Sequence, residues 1–300
     1  MKISIAETLA ASDVTTALTT GPYLIYTEIL EGARRALSFL QVVEENFDLI
    51  GQNGITIQFL KATQLSGTSI TEANMLGTGM TAADKTLSAV SVTVSAVIYS
   101  AVQLSDILKE DYPKINLVQV HFRNMGKAVM EYLDALVYST ISGAAGINTY
   151  DAGAAFTHSD LVIAVAQMEN SDWAADEVSP PYLLVSPEQA AVFLSDTTFV
   201  ETRRYTPYEV SKIVQGEMGL YGGCRVLKSS LLDGTGLAFI IFPPNTEYGP
   251  VVVLAWKRRL IVKNERQEKF GYTYFVTTIR AKPVVVQALG ISKISTTASP

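Results

Sequence analysis

Residues 103–143 read QLSDILKEDYPKINLVQVHFRNMGKAVMEYLDALVYSTISG, and the fold turns on how this stretch is divided. Asp111 can cap a helix and Pro113 sits near its first position; Val118, Phe122, Met125, Val129, Tyr132 and Leu136 then recur at alternating spacings of four and three. Arg123, Lys127, Glu131 and Asp134 mark the opposite, solvated side, and Gly143 and Gly146 stop the pattern. The spacing predicts one amphipathic helix of about 29 residues, about 43 Å long at 1.5 Å per residue. A helix of that length is a spine, and the other elements are read as what packs around it.

Upstream of the spine the period changes to two. Ile55, Ile57 and Phe59 alternate with Thr56 and Gln58, and Val90, Val92 and Val94 alternate with Ser91, Thr93 and Ser95, which predicts two strands. The stretch between them is rich in small and polar residues (Ser66, Gly67, Thr68, Ser69, Gly77, Thr78, Gly79) and too weakly apolar to hold a core. Together they make a long hairpin, and a loop of that length calls for a functional cause. Earlier still, Tyr23 to about Glu45 carries Leu24, Ile25, Ile29, Leu30, Ala33, Leu37, Leu40 and Val43 at helical spacing, bounded by Gly51 and Gly54, and predicts a second amphipathic helix. The small and polar residues up to Gly21-Pro22 read as an extended arm.

Downstream, Ser159 to about Pro250 reads as a mixed α/β unit. Ser159 or Thr157 opens a short helix through Leu161, Val165 and Met168, and Pro180-Pro181 introduces a buried strand, Tyr182 to Val185. Ser186-Pro187-Glu188-Gln189 and Thr206-Pro207-Tyr208-Glu209 are capping boxes, each with a hydroxyl at the cap and Gln or Glu three residues later. Gly222-Gly223 turns into a strand at Arg225 to Leu227, and Asp233-Gly234 turns toward another at Leu237 to Phe242. Beyond Gly249-Pro250 the chain is mostly strand. Tyr272, Tyr274, Val276 and Thr278 alternate with Thr273, Phe275, Thr277 and Ile279, and Pro283 to Leu289 reads as the last strand before a polar tail from Ser295. The fold class is α+β, without an internal repeat.

Composition bounds the function. The 300 residues carry 23 basic and 29 acidic side chains, a net charge of −6, and are 48% hydrophobic but only 17% charged. Globular domains average about 25% charged residues, so more surface than usual is covered by something. Lipid does not fit, because the longest apolar runs, Leu161 to Ala166, Leu237 to Phe242 and Val251 to Trp256, are six residues each, against about 20 for a membrane helix. The opening MKISIAETLAASD meets Glu7 before a signal-peptide core can form, so a mature, cytosolic chain is expected. Contact between subunits is the remaining explanation.

The inventory for catalysis is thin. Cys224 is the only cysteine, which excludes an intrachain disulfide and a multi-cysteine zinc site, and His121 and His158 are the only histidines. Cys224 follows a double glycine and is read as a small apolar residue starting a strand rather than a nucleophile. His121 is read as a surface or interface residue of the spine, and His158 as a local polar contact before a helix. No phosphate loop and no dinucleotide fingerprint is present. Glu44-Glu45 and Glu110-Asp111 fall at predicted helix ends, where capping or solvation outweighs a catalytic pair. The basic clusters Trp256-Lys257-Arg258-Arg259 and Arg203-Arg204 are read as solvated or paired with neighbouring subunits, since a net charge of −6 does not draw the whole molecule to nucleic acid. No catalytic residue, cofactor or metal is expected.

The order of elements, namely arm, helix, long hairpin, Gln103-Leu104-Ser105-Asp106-Ile107-Leu108, spine helix, α/β unit and closing strands, resembles the major capsid proteins of tailed bacteriophages and related archaeal viruses, the Hong Kong 97 fold. Gly54-Ile55-Thr56-Ile57-Gln58-Phe59, Leu104-Ser105-Asp106, Tyr132-Leu133-Asp134, Tyr182-Leu183-Leu184-Val185-Ser186-Pro187 and Gly222-Gly223-Cys224-Arg225-Val226 look like that family's corresponding stretches. The resemblance implies an N-terminal arm at 1–22, an extended loop at 51–103, an axial domain at 151–250, and a peripheral domain with the spine helix at 23–50, 104–150 and 251–300. It implies a coat protein that self-assembles through pentamers and hexamers into an icosahedral shell around double-stranded DNA, contacted non-specifically, in a virion assembled in the host cytoplasm. Separate scaffolding, portal and decoration proteins are further partners it implies, with no membrane. No long scaffolding helix is expected ahead of the arm. Ile55, Ile57, Phe59, Lys61, Lys85, Val90, Val92, Val94, Arg203 and Arg204 are the expected inter-subunit contacts, and no loop crosslink is assigned to Lys61 or Lys85. An encapsulin-like compartment shares this fold and is the nearest alternative; a tail or decoration protein and a cysteine-dependent enzyme are the others.

Overall fold

The computed structural model describes residues 37–61, 88–105, 117–153, 156–169, 180–195, 217–221, 223–243 and 249–296. In chain order the strands are β1 (Glu44–Asn46), β2 (Thr56–Lys61), β3 (Ser88–Thr93), β4 (Ile98–Ser105), β5 (Asn148–Asp151), β6 (Tyr182–Val185), β7 (Glu217–Tyr221), β8 (Cys224–Lys228), β9 (Leu237–Ile241), β10 (Val252–Gln267), β11 (Tyr272–Val285) and β12 (Ile291–Ser295). The helices are α1 (Leu117–Ser142), α2 (His158–Glu169) and α3 (Pro187–Ser195).

The predicted spine is α1, 26 residues long, about 39 Å at 1.5 Å per residue. Asp111 and Pro113 lie outside the described residues. Phe122, Met125 and Val129 are buried as the spacing requires, but from there the buried row runs through Leu133, Val137 and Ile141, and Tyr132 is 60% exposed. Helical pitch explains the change. A stripe held at spacings of four and three drifts about 20° per heptad around a straight helix, so the next row takes over in the second half. Asp134, expected on the wet side, is carried inward with that row and is 5% exposed.

The row packs on a four-stranded sheet of order β1-β10-β11-β4, with β1 parallel to β10 and the other pairs antiparallel. The alternation along β11 decides which side chains face the helix: Thr273, Phe275, Thr277 and Ile279 are buried, and the Phe122 ring meets Phe275 edge-on at 4.9 Å. Gly271, at φ +63, takes the left-handed position that closes the turn between β10 and β11.

A second, six-stranded mixed sheet has the order β5-β12-β9-β6-β8-β7. Leu183, Leu184, Phe239 and Ile240 from its strands share one large core with Leu161, Ala164 and Met168 of α2 and with Val137 and Ile141 at the end of α1. Both helix starts are fixed by reciprocal caps. Ser186 N donates to Gln189 Oε1 at 3.0 Å and Gln189 N to Ser186 Oγ at 3.1 Å, as the sequence predicts. The second predicted box, at Thr206, lies outside the described residues. At α2 the cap is Thr157, whose N and Oγ1 donate to Asp160 Oδ2 at 2.8 and 2.6 Å.

Three expectations are corrected. The predicted helix from Tyr23 to about Glu45 is not continuous: residues 37–46 contain one 3-10 turn, Phe39–Gln41, and then β1. Tertiary contacts override the periodicity there, because Phe39 is drawn between Tyr138 and Phe239 at ring separations of 5.2 and 6.2 Å, Leu40 N donates to Asp134 Oδ1 at 2.9 Å, and Ser38 Oγ donates to Lys228 O at 2.6 Å. Pro283 to Leu289 is not the last strand: β11 ends at Val285, a 3-10 turn spans Ala288–Gly290, and β12 follows. The expected domain boundaries also shift. Residues 98–103 belong to β4 in the four-stranded sheet rather than to the loop, and β12 pairs with β5 and β9 in the six-stranded sheet rather than with the closing strands beside the spine.

Candidate assembly surfaces

The β2–β3 hairpin is a two-stranded sheet separate from the other two. Its register sets Ile57 opposite Val92 and Phe59 opposite Val90, so one face is apolar and packs on Leu49, Ala255 and Val284. Of the expected contact residues, Val92 and Val94 are buried in this chain's own core, Ile57 and Phe59 are half-buried against it, and Val90 is half-buried. Ile55 is exposed, and so is Leu60 at 65%. Leu60 carries no sequence signal of its own, because its parity puts it on the exposed face with Thr56 and Gln58. Lys61 lines a cleft of about 360 Å³ with Val90, Thr140, Val285 and Ala288. Lys85, Arg203 and Arg204 lie outside the described residues.

Where the hairpin joins the body, two cations hold it. Lys257 of β10 donates from Nζ to the backbone carbonyls of Leu49 at 3.1 Å, Gly54 at 2.7 Å and Gln52. Arg280 of β11 donates from one guanidinium nitrogen to Val94 O at 2.9 Å and Ser95 O at 3.4 Å. Beside them Arg258 donates to Thr278 Oγ1 at 3.3 Å, and Arg259 lies over the Phe47 ring at 4.5 Å. The basic run that begins at Trp256 therefore has mostly internal work, which its charge alone does not reveal.

An open groove of about 460 Å³ runs between the 95–100 segment and α1, lined by Val97, Ile98, Tyr99, Tyr132, Leu136 and Lys282. Tyr99 is 68% exposed and Tyr132 60%. Phe270, at the β10–β11 tip, is 64% exposed and stacks on Tyr272 at 5.9 Å.

Asp134 joins the spine to the segment before the hairpin. Burial pushes its carboxyl up to about 6, against the opposing pull of the Leu40, Phe39 and Ser38 amides, with Glu131 adding to the rise. A group that holds its proton more tightly when folded stabilises the fold at low pH, and that contribution is lost as pH rises from the ordinary 3.8 through about 6. Asp134→Asn keeps an acceptor for Leu40 but has no proton to lose. The stability of the native chain relative to this variant is expected to fall by on the order of 2 kcal/mol between pH 4 and pH 6.5 in urea unfolding. A flat difference would show that the carboxylate is solvated.

Among the described residues, the candidate nucleophile and histidines are not brought together. Cys224 is fully buried in the large core, and burial pushes its thiol up to about 12. A thiol reagent is expected to leave it unmodified in the folded protein and to label it on unfolding; fast labelling at neutral pH would reinstate the nucleophile. His121 lies half-buried on α1 and His158 opens α2. Near His158, burial of Asp160 is outweighed by donors on Thr157 and Tyr150, which hold its carboxyl below the usual range. Among the described residues no group of three or more His, Cys, Asp or Glu could hold a metal ion, and no helix is long and apolar enough to cross a membrane.

A spine helix laid across one sheet, a second, mixed sheet with its own helices and a two-stranded hairpin outside both sheets define the class: this is the Hong Kong 97-type capsid fold. Residues 89–291 match the family model described as phage capsid protein, and the chain belongs to that family. Comparison with curated protein sequences gives no match. Among solved structures, the chain is similar to the capsid of the cyanophage P-SCSP1u, with a TM-score of 0.66 at 14% identity over 88% of this chain and 90% of that one. It is also similar to the virus-like particle from Pyrococcus furiosus, with a TM-score of 0.60 at 12% identity over 91% and 98%. A third similarity is to the encapsulin of Synechococcus elongatus PCC 7942, with a TM-score of 0.56 at 11% identity over 85% of each chain.

Proposed function

We propose that this capsid protein is the major, shell-forming subunit of a tailed virus, assembling through pentamers and hexamers into an icosahedral shell around double-stranded DNA. The observation that carries this is the hairpin: a two-stranded ribbon outside both main sheets, with Ile55 and Leu60 exposed, supplied by a chain with only 17% charged residues. Such a ribbon completes its burial on another copy, and obligate assemblies bury about 2,000–5,000 Å² per interface. The six-stranded unit takes the axial position and the four-stranded sheet with α1 the peripheral one. The role is structural, not enzymatic, and the net charge of −6 keeps the lining from trapping the packaged genome. Scaffolding, portal and decoration proteins are the expected partners, in a virion assembled in the host cytoplasm.

The similarity to an encapsulin supports a second reading, a protein compartment that encloses cargo. Neighbouring genes separate the two: terminase and portal genes mark a virus, a peroxidase or ferritin-like gene a compartment. The primary test is electron microscopy of the overexpressed protein with and without neighbouring gene products. Closed icosahedral particles are expected, and small rings or monomers with every neighbour supplied would overturn the shell reading.

A further inference from the structure

We propose that Lys257 and Arg280 set the direction in which the β2–β3 hairpin leaves the body, and through it the geometry in which copies of the chain meet; the second half of this statement rests on the shell reading above. The two residues stand on adjacent strands, β10 and β11, and each grips a different side of the hairpin root. Lys257 takes the segment that leads into β2, through the carbonyls of residues 49, 52 and 54, using all three donors of its ammonium. Arg280 takes the segment that leaves β3, through the carbonyls of residues 94 and 95.

No carboxylate is paired with either cation among the described residues. The Arg280 Nε is buried without a hydrogen-bond partner, so this guanidinium is drawn under the root at the cost of one unpaired donor. That is more than solvation of a surface charge requires. A further contact between hairpin and body is the apolar patch of Leu49, Val92, Val94 and Ala255. Hydrophobic contact is non-directional and holds a ribbon against the body without fixing its angle. Charge-assisted hydrogen bonds to backbone carbonyls are short and directional, and two of them on opposite sides of one root define an angle. Ladder bonds inside the hairpin, such as Val94 N to Ile55 O at 2.8 Å, then carry that angle outward.

The test measures direction before assembly. Spin labels at Gln58→Cys on β2 and Glu131→Cys on α1, both exposed positions, report the distance between hairpin and spine, while buried Cys224 stays unlabelled. A single narrow distance distribution is expected with the native clamps. In the Lys257→Met/Arg280→Met double variant, which keeps apolar stems but no donors, its width is expected to at least double, while circular dichroism shows the body folded. Assembly of that variant is then expected to give mixed diameters or open sheets. An unchanged distance distribution overturns the clamp, and a broadened one with particles of uniform native diameter overturns the link to assembly. If the double variant does not fold, Lys257→Arg with Arg280→Lys keeps the charges and changes the donor geometry: a shifted or broadened distribution supports the clamp and an unchanged one overturns it. Failure of the labelled chain with native clamps to form closed particles, all neighbouring gene products supplied, counts against the shell reading, and the distance measurement still decides the clamp.

Discussion

Deleting residues 66–85 is expected to leave a folded, soluble subunit that no longer closes into shells. The hairpin ladder ends at the pair Lys61 and Ser88, and the contacts described between it and the body, through Val92, Val94, Leu49 and Ala255 and through Lys257 and Arg280, lie outside the deletion. Of the 26 residues between that last pair, the deletion leaves six, 62–65 and 86–87, enough to reconnect the strands. Shortening such a connection changes its closure entropy by only about 1 kcal/mol. The subunit therefore keeps its core and loses what it offers to other copies. Circular dichroism and thermal melting within a few degrees of the intact chain, with closed particles absent by electron microscopy, is the expected pair of results. Global unfolding of the deletion would place residues 66–85 in the core.

The opposite partition is expected at Phe239→Ala. Phe239 is fully buried on β9, and its ring meets Phe39 at 6.2 Å and Tyr138 at 6.1 Å, so one side chain joins the six-stranded sheet, the spine and the segment before the hairpin. Truncating a buried Phe to Ala costs about 3–5 kcal/mol, through lost transfer free energy and the cavity left behind. Against a total stability of about 5–15 kcal/mol that is a severe loss. Urea unfolding should show it in the free subunit, whether or not particles form, and Tyr132→Ala on the exposed side of α1 should stay within about 0.5 kcal/mol of the native chain. A cost below about 1 kcal/mol at Phe239 would mean that the three elements repack around the gap.

Local patterns with one dominant period were legible in the sequence. The alternation along β2, β3 and β11, the 26-residue spine and the capping box at Ser186 all stand where period and side-chain chemistry put them. What was not legible depends on residues far apart in the chain. Leu37, Leu40 and Val43 carry a helical period, yet that stretch is pulled into a turn and a strand by Asp134, Phe239 and Lys228, which lie about 90 to 200 positions away. Asp134 carries no local mark of its burial, because only the drift of the α1 stripe turns it inward. Lys257 and Arg280 show the same limit. A basic run in sequence reads as solvated charge, and its use on backbone carbonyls appears only when β10 and β11 are set beside the hairpin root.

The six-stranded sheet also imposes a schedule on synthesis. β12 follows every other described strand in sequence, yet it lies inside the sheet, parallel to β5 on one side and antiparallel to β9 on the other. A nascent chain translated only through β11 therefore presents two unpaired strand edges where β12 belongs, each a template for misplaced pairing. The gap is filled within the chain once residues 291–295 have emerged from the ribosome. Completion of the sheet thus waits on residues 291–295, and a chain cut short before them is left with an open sheet.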